Sequence, residues 1–499
     1  MKQKHSAGIT LRQKGITALP QGTYKMPTGK ERNMNTNQSL ATEKIGKLML
    51  KFSIPCIMSL LVSSLYNIVD QIFIGRGVGY LGNGATNVVF PITIIALALA
   101  LLIGDGCAAY LSLCLGKKDT ESANRGVGNA VVLAAGLGMI LMILFFAGRE
   151  TILRMFGATE NNLEYAREYF DYIVIGIPFY VFTNAMNSVI RADGSPAFAM
   201  FSTLAGCLIN VICDPIAIFV LGWGMRGAAI ATVAGQVVTA VLAVWYLFHT
   251  RSFRFEKKSF RFQGKTMAAF LPLGISSLLT QVSIVVIMGV MNNMLVAFGK
   301  GTIYGADIPL TVVGIVMKVF QIVVSVVIGI AAGSQPIIGY NYGAGHYHRV
   351  KEIYRTMMKA EVLVGTVSLL LFELFPMQII GIFGSESALY NQFAVMTFRI
   401  YMCTIIFCCV QKATSVFLQA IGRPVLSLSL SLLRDFIINV PAVLLLPRVF
   451  GLTGTLWSAP IADLVSMIAV VIMMRPVWHG LSGEKIKGGR AAEQLDSMA

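Results

Sequence analysis

Four acids in the first half of the chain fall inside strongly apolar stretches: Asp70, Asp105, Asp171 and Asp214. Asp214 has the most suggestive surroundings. It lies in the run INVICDPI, with Asn210 four residues earlier and Pro215 directly after. On a helix, residues four apart share a face. A proline clashes with the carbonyl four residues back and frees that oxygen. Carboxylate, amide and loosened carbonyl on one wall suit a small cation or a proton; the same pattern also describes a kinked helix with a packed polar pair. Asp70 lies in YNIVDQIFIG, about 15 residues and ~22 Å beyond Pro55 along a helix. It reads as a second site carboxylate, or as an acid hydrated near a membrane surface. Asp105 and Asp171 are weaker candidates. The second half offers Lys318, Arg399, Lys412, Arg434, Asp435 and Asp463, with Glu361 and Glu373 nearer segment ends. Arg434 beside Asp435 reads as a charge pair, and Lys318 as facing a cleft or pairing with an acid.

These charges matter because of what surrounds them. Of 499 residues, 56% are hydrophobic and 13% are charged, the latter about half the usual quarter. A charge at mid-bilayer costs at least about 2.5–3.5 kcal/mol, so each needs a reason. None of the five histidines (His5, His249, His346, His348, His479) lies in an apolar run. That argues against a membrane metalloprotease and leaves a membrane enzyme without its usual acid–base pair. The eight cysteines all lie in apolar runs with no zinc-site spacing and read as small packing residues.

The elements that must position these groups are helices. Roughly 20 apolar residues cross a bilayer, and twelve segments qualify: about 52–75, 87–115, 127–148, 169–190, 197–221, 227–248, 267–298, 309–338, 353–375, 391–420, 425–447 and 452–474. The ten-residue alternation of a membrane barrel is absent. The fold class is therefore an all-α membrane protein. The chain also repeats itself. SVIRADGSP is answered by SVFLQAIGRP, so that Gly194 and Pro196 correspond to Gly422 and Pro424. Gly224 and Gly227 pair with Gly451 and Gly454, Pro55 with Pro272, and LGKKD with YGAGH. Twelve helices thus form two six-helix repeats. Six is even, so the repeats run parallel and make two lobes around a central cleft, as in transporters whose lobes rock about a shared site. A duplicated channel would share the plan.

Lys and Arg set the orientation. One side carries 29 of them, the other seven, which places both termini in the cytoplasm. The net charge of +16 is then topology plus attraction to anionic lipid heads, with no nucleic acid required. The domains read as a disordered cytoplasmic arm over 1–45, a first lobe over 46–248, a basic linker over 249–266, a second lobe over 267–475 and a cytoplasmic tail over 476–499. Met34 is a candidate alternative start. The linker is expected to be mobile if the lobes rock.

Residues 40–475 resemble the multidrug and toxic compound extrusion (MATE) family, bacterial cationic-drug-exporting branch. The resemblance rests on NIVDQIFIG in the first span, LGKKD after the second, NSVIRADGSP across the fourth and fifth, NVICDPI in the fifth, GAAIAT in the sixth and QPIIGYNYGAG in the eighth. It implies a secondary antiporter in the bacterial inner membrane that exchanges cationic amphiphiles for H+ or Na+, with no cofactor. It also implies a cation-coupling site at Asp70, Asn187, Asn210, Asp214 and Thr232, of which Asp70, Asn210, Asp214 and Thr232 would also suit Na+. The second-half acids of some branches are not evident, since the seventh span has no acid. Two acids buried together cannot both stay ionised cheaply, so proton uptake would neutralise the lobe and loosen its hold on a cationic guest. Small organic cations and membrane lipids are the expected partners. The substrate chamber is expected between the lobes, lined by Met and aromatic side chains, and a closed two-lobe chain needs no second copy. The main rival is a lipid-linked sugar flippase of the same superfamily, which would need Lys318, Arg399, Lys412 and Arg434 in the cleft.

Overall fold

Long apolar runs cannot leave backbone N–H and C=O groups unpaired in lipid, and a helix satisfies them within one segment. The computed structural model describes residues 40–481, apart from 157, 159, 161, 254–256, 306 and 384–386. The first half contains α1 (Ile45–Gly77), α2 (Tyr80–Gly116), α3 (Thr120–Ala147), a short α4 (Arg149–Met155), α5 (Leu163–Ala192), α6 (Pro196–Pro215) with a π-helical turn over Ile216–Val220, and α7 (Gly224–Leu247). The second contains α8 (Gly264–Gly299), α9 (Asp307–Gly343), α10 (Tyr347–Leu374), a short α11 (Pro376–Phe383), α12 (Ala388–Met402), α13 (Ile405–Ala420), α14 (Pro424–Leu432), a π-helical stretch over Leu433–Asn439, α15 (Val440–Phe450) and α16 (Leu452–Gly480).

Among the described residues, ten helical segments are long and apolar enough to cross a membrane. The tenth expected span is broken: α12 and α13 meet at a 44° bend. The ninth is α10, 28 residues long, with Lys359, Glu361 and Glu373 in its apolar part. Most helices begin or end several residues outside the expected runs, because their polar ends continue the helix into the interface. The repeat extends to features with no apolar signal. Short helices α4 and α11 occupy corresponding connections, and both fifth spans of the repeats contain π-helical turns. Gly194 (φ 80°) and Gly422 (φ 73°) take the left-handed conformation that stops a helix. Pro196 and Pro424 then start the next, where no N–H is needed.

The buried apolar residues form three clusters: one around Phe170 and Ile177 in the first lobe that takes in Phe270 of α8, one around Phe417 that joins Leu48 and Phe52 of α1 to the second lobe, and one around Phe393 and Phe398 in the second lobe. The lobes meet where α1 and α2 pack on α8 and α9. Glycines permit this. A Cβ on Gly274 would collide with the Leu102 carbonyl, one on Gly106 with Phe270, one on Gly116 with the Tyr340 carbonyl, and one on Gly333 with the Ser53 backbone. Ser53 Oγ also donates to the Ile330 carbonyl at 3.3 Å. These contacts gather at one end of the molecule, the end that carries both described termini. Midway along, Ser64 and Ser325 hydroxyls lie 3.0 Å apart. Toward the other end, a pocket of about 460 Å³ lies between α1, α2 and α9, lined by Gln71, Arg76, Asn83 and Lys318 among others. The lobes are thus closed on the terminus-bearing face.

Two domain expectations are refined. The arm over 1–45 lies mostly outside the described residues, but its last part is docked. Leu40 is buried, and its carbonyl accepts from Asn341 Nδ2 at 3.0 Å and Arg349 Nε at 3.3 Å. The linker over 249–266 is tied to the first lobe at both described ends. Buried Asp193 accepts from the Arg251 and Ser252 amides and from the Tyr246 hydroxyl, at 2.7–2.8 Å. Asn129 accepts from the Gln263 amide at 2.9 Å, and its own amide reaches the Arg261 carbonyl at 3.3 Å. In this state the described parts of the linker are thus bonded to the first lobe at both ends.

Candidate cation site

Asp214 sits near the end of α6, about 18 residues and ~27 Å from its start. Pro215 has no N–H to continue the α-helical ladder, and the chain rewinds as the wider turn of Ile216–Val220, where the Leu221 amide reaches back to the Ile216 carbonyl at 2.9 Å. Gly206 on α6 and Gly235 on α7 cross so closely that a Cβ on either would meet the other's backbone. That crossing places Asn210 against Thr232 one turn on, and Asn210 Nδ2 donates to Thr232 Oγ1 at 3.1 Å. Helix α1 packs along α6, with Phe73 and Phe219 edge to face at 6.4 Å. One turn before Phe73, Asp70 faces Asp214 within reach of a shared proton.

Asp214 is fully buried, Asn210 is 2% exposed and Asp70 is 8% exposed. The reading of Asp70 as an acid hydrated near the membrane surface therefore does not hold. Both Asp214 carboxyl oxygens, Asp70 Oδ1 and Asn210 Oδ1 lack a donor. Buried polar atoms are normally paired, so four inward oxygens without a donor leave room for a proton or a small cation. Tyr66 on α1 and Tyr169 on α5 close the site, with Tyr169 beside Thr232. Neither tyrosine stood out in the sequence, because an aromatic residue in an apolar span looks like ordinary packing. Gln236, one turn beyond Thr232, has a further buried oxygen without a partner.

The structure brings together Asp70, Asn210, Asp214 and Thr232, but not Asn187. Asn187 bonds Thr203 and Ser202 on α6 at 3.3 and 3.2 Å, about two turns, ~11 Å, from Asn210. Asp171 pairs with Arg149 at 2.9 Å, half-exposed. Asp105 lies at the lobe junction. It accepts from Ser188 of the first lobe at 2.7 Å and from Ser277 of the second at 2.9 Å, with Arg191 at 3.7 Å.

The second lobe is built differently. Arg434 contacts Asp435 at 2.6 Å and Asp463 at 2.8 Å, and Ser283 and Thr404 each donate to one of these acids at 3.0 Å. One cation serves two acids there, and each of these two carboxylates also has a hydroxyl donor. The run Ile209-Asn210-Val211 reappears as Ile438-Asn439-Val440, but with Pro441 next and no following acid. Arg399 pairs with Glu373 at 3.6 Å. Glu361 on α10 is fully buried with neither oxygen partnered; its place in a half-polar helix had suggested a position nearer the span end.

Two parallel six-helix lobes with an unpaired carboxylate pair in one of them have the build of a secondary transporter. The chain belongs to the MATE family: the MatE family model matches residues 55–216 and again 272–445, one stretch in each repeat. It is therefore an integral membrane transporter. The multidrug export protein MepA of Staphylococcus saprophyticus is 25% identical over 437 residues, covering 86% of this chain and 93% of its own. MepA of Staphylococcus aureus N315 is 23% identical over 429 residues with the same coverage. Among solved structures, an outward-facing multidrug resistance MATE transporter of the MOP superfamily superposes with TM-score 0.82 at 24% identity, covering 89% of this chain and 98% of that one. A MOP superfamily transporter from Pyrococcus furiosus gives the same values. At this identity the structures establish the fold.

Proposed function

We propose that the protein is a multidrug antiporter of the bacterial plasma membrane, exporting cationic amphiphiles in exchange for H+ or Na+ by alternating access. The carrying observation is the facing pair Asp70 and Asp214, buried, with oxygens that no protein donor satisfies. A proton between the two carboxyls would supply the missing donor and remove their repulsion. Sodium would be held by the same carboxylates with Asn210 and Thr232 oxygens. Either ion neutralises the lobe, and a cationic guest is then held less firmly. The names of the MepA relatives support multidrug export. The Lys and Arg excess that the sequence assigns to the side of the termini supports a cytoplasmic placement of that side, and on that reading the closed face corresponds to an outward-facing state.

The driving force suffices. A tenfold proton gradient supplies about 1.4 kcal/mol per proton. One proton for one monovalent cation moves no net charge, so the membrane potential, ~2.3 kcal/mol per 100 mV per charge, enters only with a second ion. The flippase reading is weakened where Arg434 and Arg399 are engaged with acids, although Lys318, with Arg76, does line the pocket between the lobes.

The test is ethidium transport in proteoliposomes under an imposed inward H+ or Na+ gradient, each alone. Gradient-driven ethidium movement is expected with at least one ion. Asp214→Asn and Asp70→Asn should each abolish it while leaving the protein folded. Undiminished coupling in Asp214→Asn would remove this residue from the site.

A further inference from the structure

The second lobe has a surface groove apart from the candidate cation site. It lies between α10 and α16 with α13 as its floor, and measures about 480 Å³. Its walls are apolar, with Met358 and Val362 on one side, Met467 and Val471 on the other and Val410 beneath. From Met467 to His479 it runs about 12 residues of helix, ~18 Å. That is close to half of a ~30 Å hydrocarbon core, so the groove is as long as one leaflet is thick. Its terminus-bearing end is different in character. Arg475, Trp478 and His479 line it. Lys351 and Arg355 of α10 stand over the Trp478 ring, each 5.2 Å from its centroid. Among the described residues, none lining the groove is an acid; Glu361, next to Val362, is buried in the lobe interior instead.

We propose that this groove is a binding site for one anionic phospholipid of the inner leaflet. The acyl chain fills the methionine- and valine-walled slot. The headgroup phosphate lies against Arg475 and Arg355, with Lys351 at the rim and Trp478 at headgroup level, where such rings favour the interface. Charge complementarity selects the occupant: a zwitterionic lipid would bring its own cation into a cluster of three. Arg-phosphate recognition through paired N–H groups favours phosphate over water.

The test uses delipidated protein and two lipids with identical chains, phosphatidylglycerol and phosphatidylcholine. By native mass spectrometry, phosphatidylglycerol should be retained at least fivefold over phosphatidylcholine. Arg355→Gln with Arg475→Gln should bring the two to parity, and the double Arg→Lys variant should restore most of the preference. Glycerol phosphate, the headgroup without chains, should not compete. A chain-brominated phosphatidylglycerol should quench the intrinsic fluorescence, and the conservative Trp478→Phe should remove most of that quenching. This last measurement locates the lipid even if the arginine variants fold poorly. Equal retention of both lipids by the unaltered protein, or quenching unchanged in Trp478→Phe, would overturn the assignment.

Discussion

At the residue scale, two clusters of buried charge are built in opposite ways. In the second lobe Arg434 bonds both Asp435 and Asp463, and Ser283 and Thr404 add a donor to each acid. The first leaves Asp70 and Asp214 facing each other with no donor. A bonded network of this kind is rigid, because removing one member strands the others; breaking a buried pair costs about 3–5 kcal/mol. Arg434→Ala should therefore lower the thermal midpoint sharply. Arg149→Ala, which removes a half-exposed pair with Asp171, should cost no more than about 1 kcal/mol. Thermal unfolding of the two variants in one detergent checks this, and similar midpoints would contradict the structural role of the network. The unmatched pair is the opposite case, a place where an ion from solution completes what the protein omits.

At the element scale, the loop between α5 and α6 clamps the linker. Asp193 caps α5 and holds the Arg251 and Ser252 amides. Burial pushes its carboxyl up to about 6, against the pull of those donors and of Tyr246. A carboxyl whose folded value is raised favours the fold fully below its unfolded value, near 4, and loses that contribution as pH rises through about 6. Between pH 5 and 8 the protein should therefore lose about 1–2 kcal/mol at this residue. Asp193→Asn, which has no charge to bury, should show a shallower fall of thermal midpoint over the same range. Parallel slopes for the two proteins would rule the clamp out as the source.

At the scale of the whole molecule, closure depends on backbone approaching backbone. Gly274 on α8 lies against the Leu102 carbonyl of α2, and Gly116 on α2 against α9. Asp105 adds a polar latch across the same junction, through Ser277. A bulky side chain at Gly274 has nowhere to go except by separating the lobes, and overpacking of this kind costs about 1–3 kcal/mol. Gly274→Leu should shift the population away from the closed terminus-bearing face and slow transport severalfold. Spin labels at exposed Lys117 and His348, one on each lobe, should then report a longer distance. An unaltered distance distribution would show that this contact does not set the closed state.

The sequence by itself determined the membrane, the twelve helices and the two repeats, and it singled out Asp70 and Asp214 as candidate acids. Each of those is a local or periodic property: apolar run length, recurrence of Gly and Pro at a constant offset, a carboxylate four residues from an amide. The break in the tenth span left no mark, because Cys403 and Thr404 are ordinary in an apolar helix and only Asp463, 59 residues away, engages Thr404 there. Tertiary structure alone decided which polar residues meet. It joined Asp70 to Asp214, placed Asn187 two turns aside, exposed Lys318 at a pocket between the lobes and strapped the linker down. Those outcomes depend on how closely helices distant in sequence approach one another, and that is settled by glycines such as Gly206 and Gly235 only once their partners are in place.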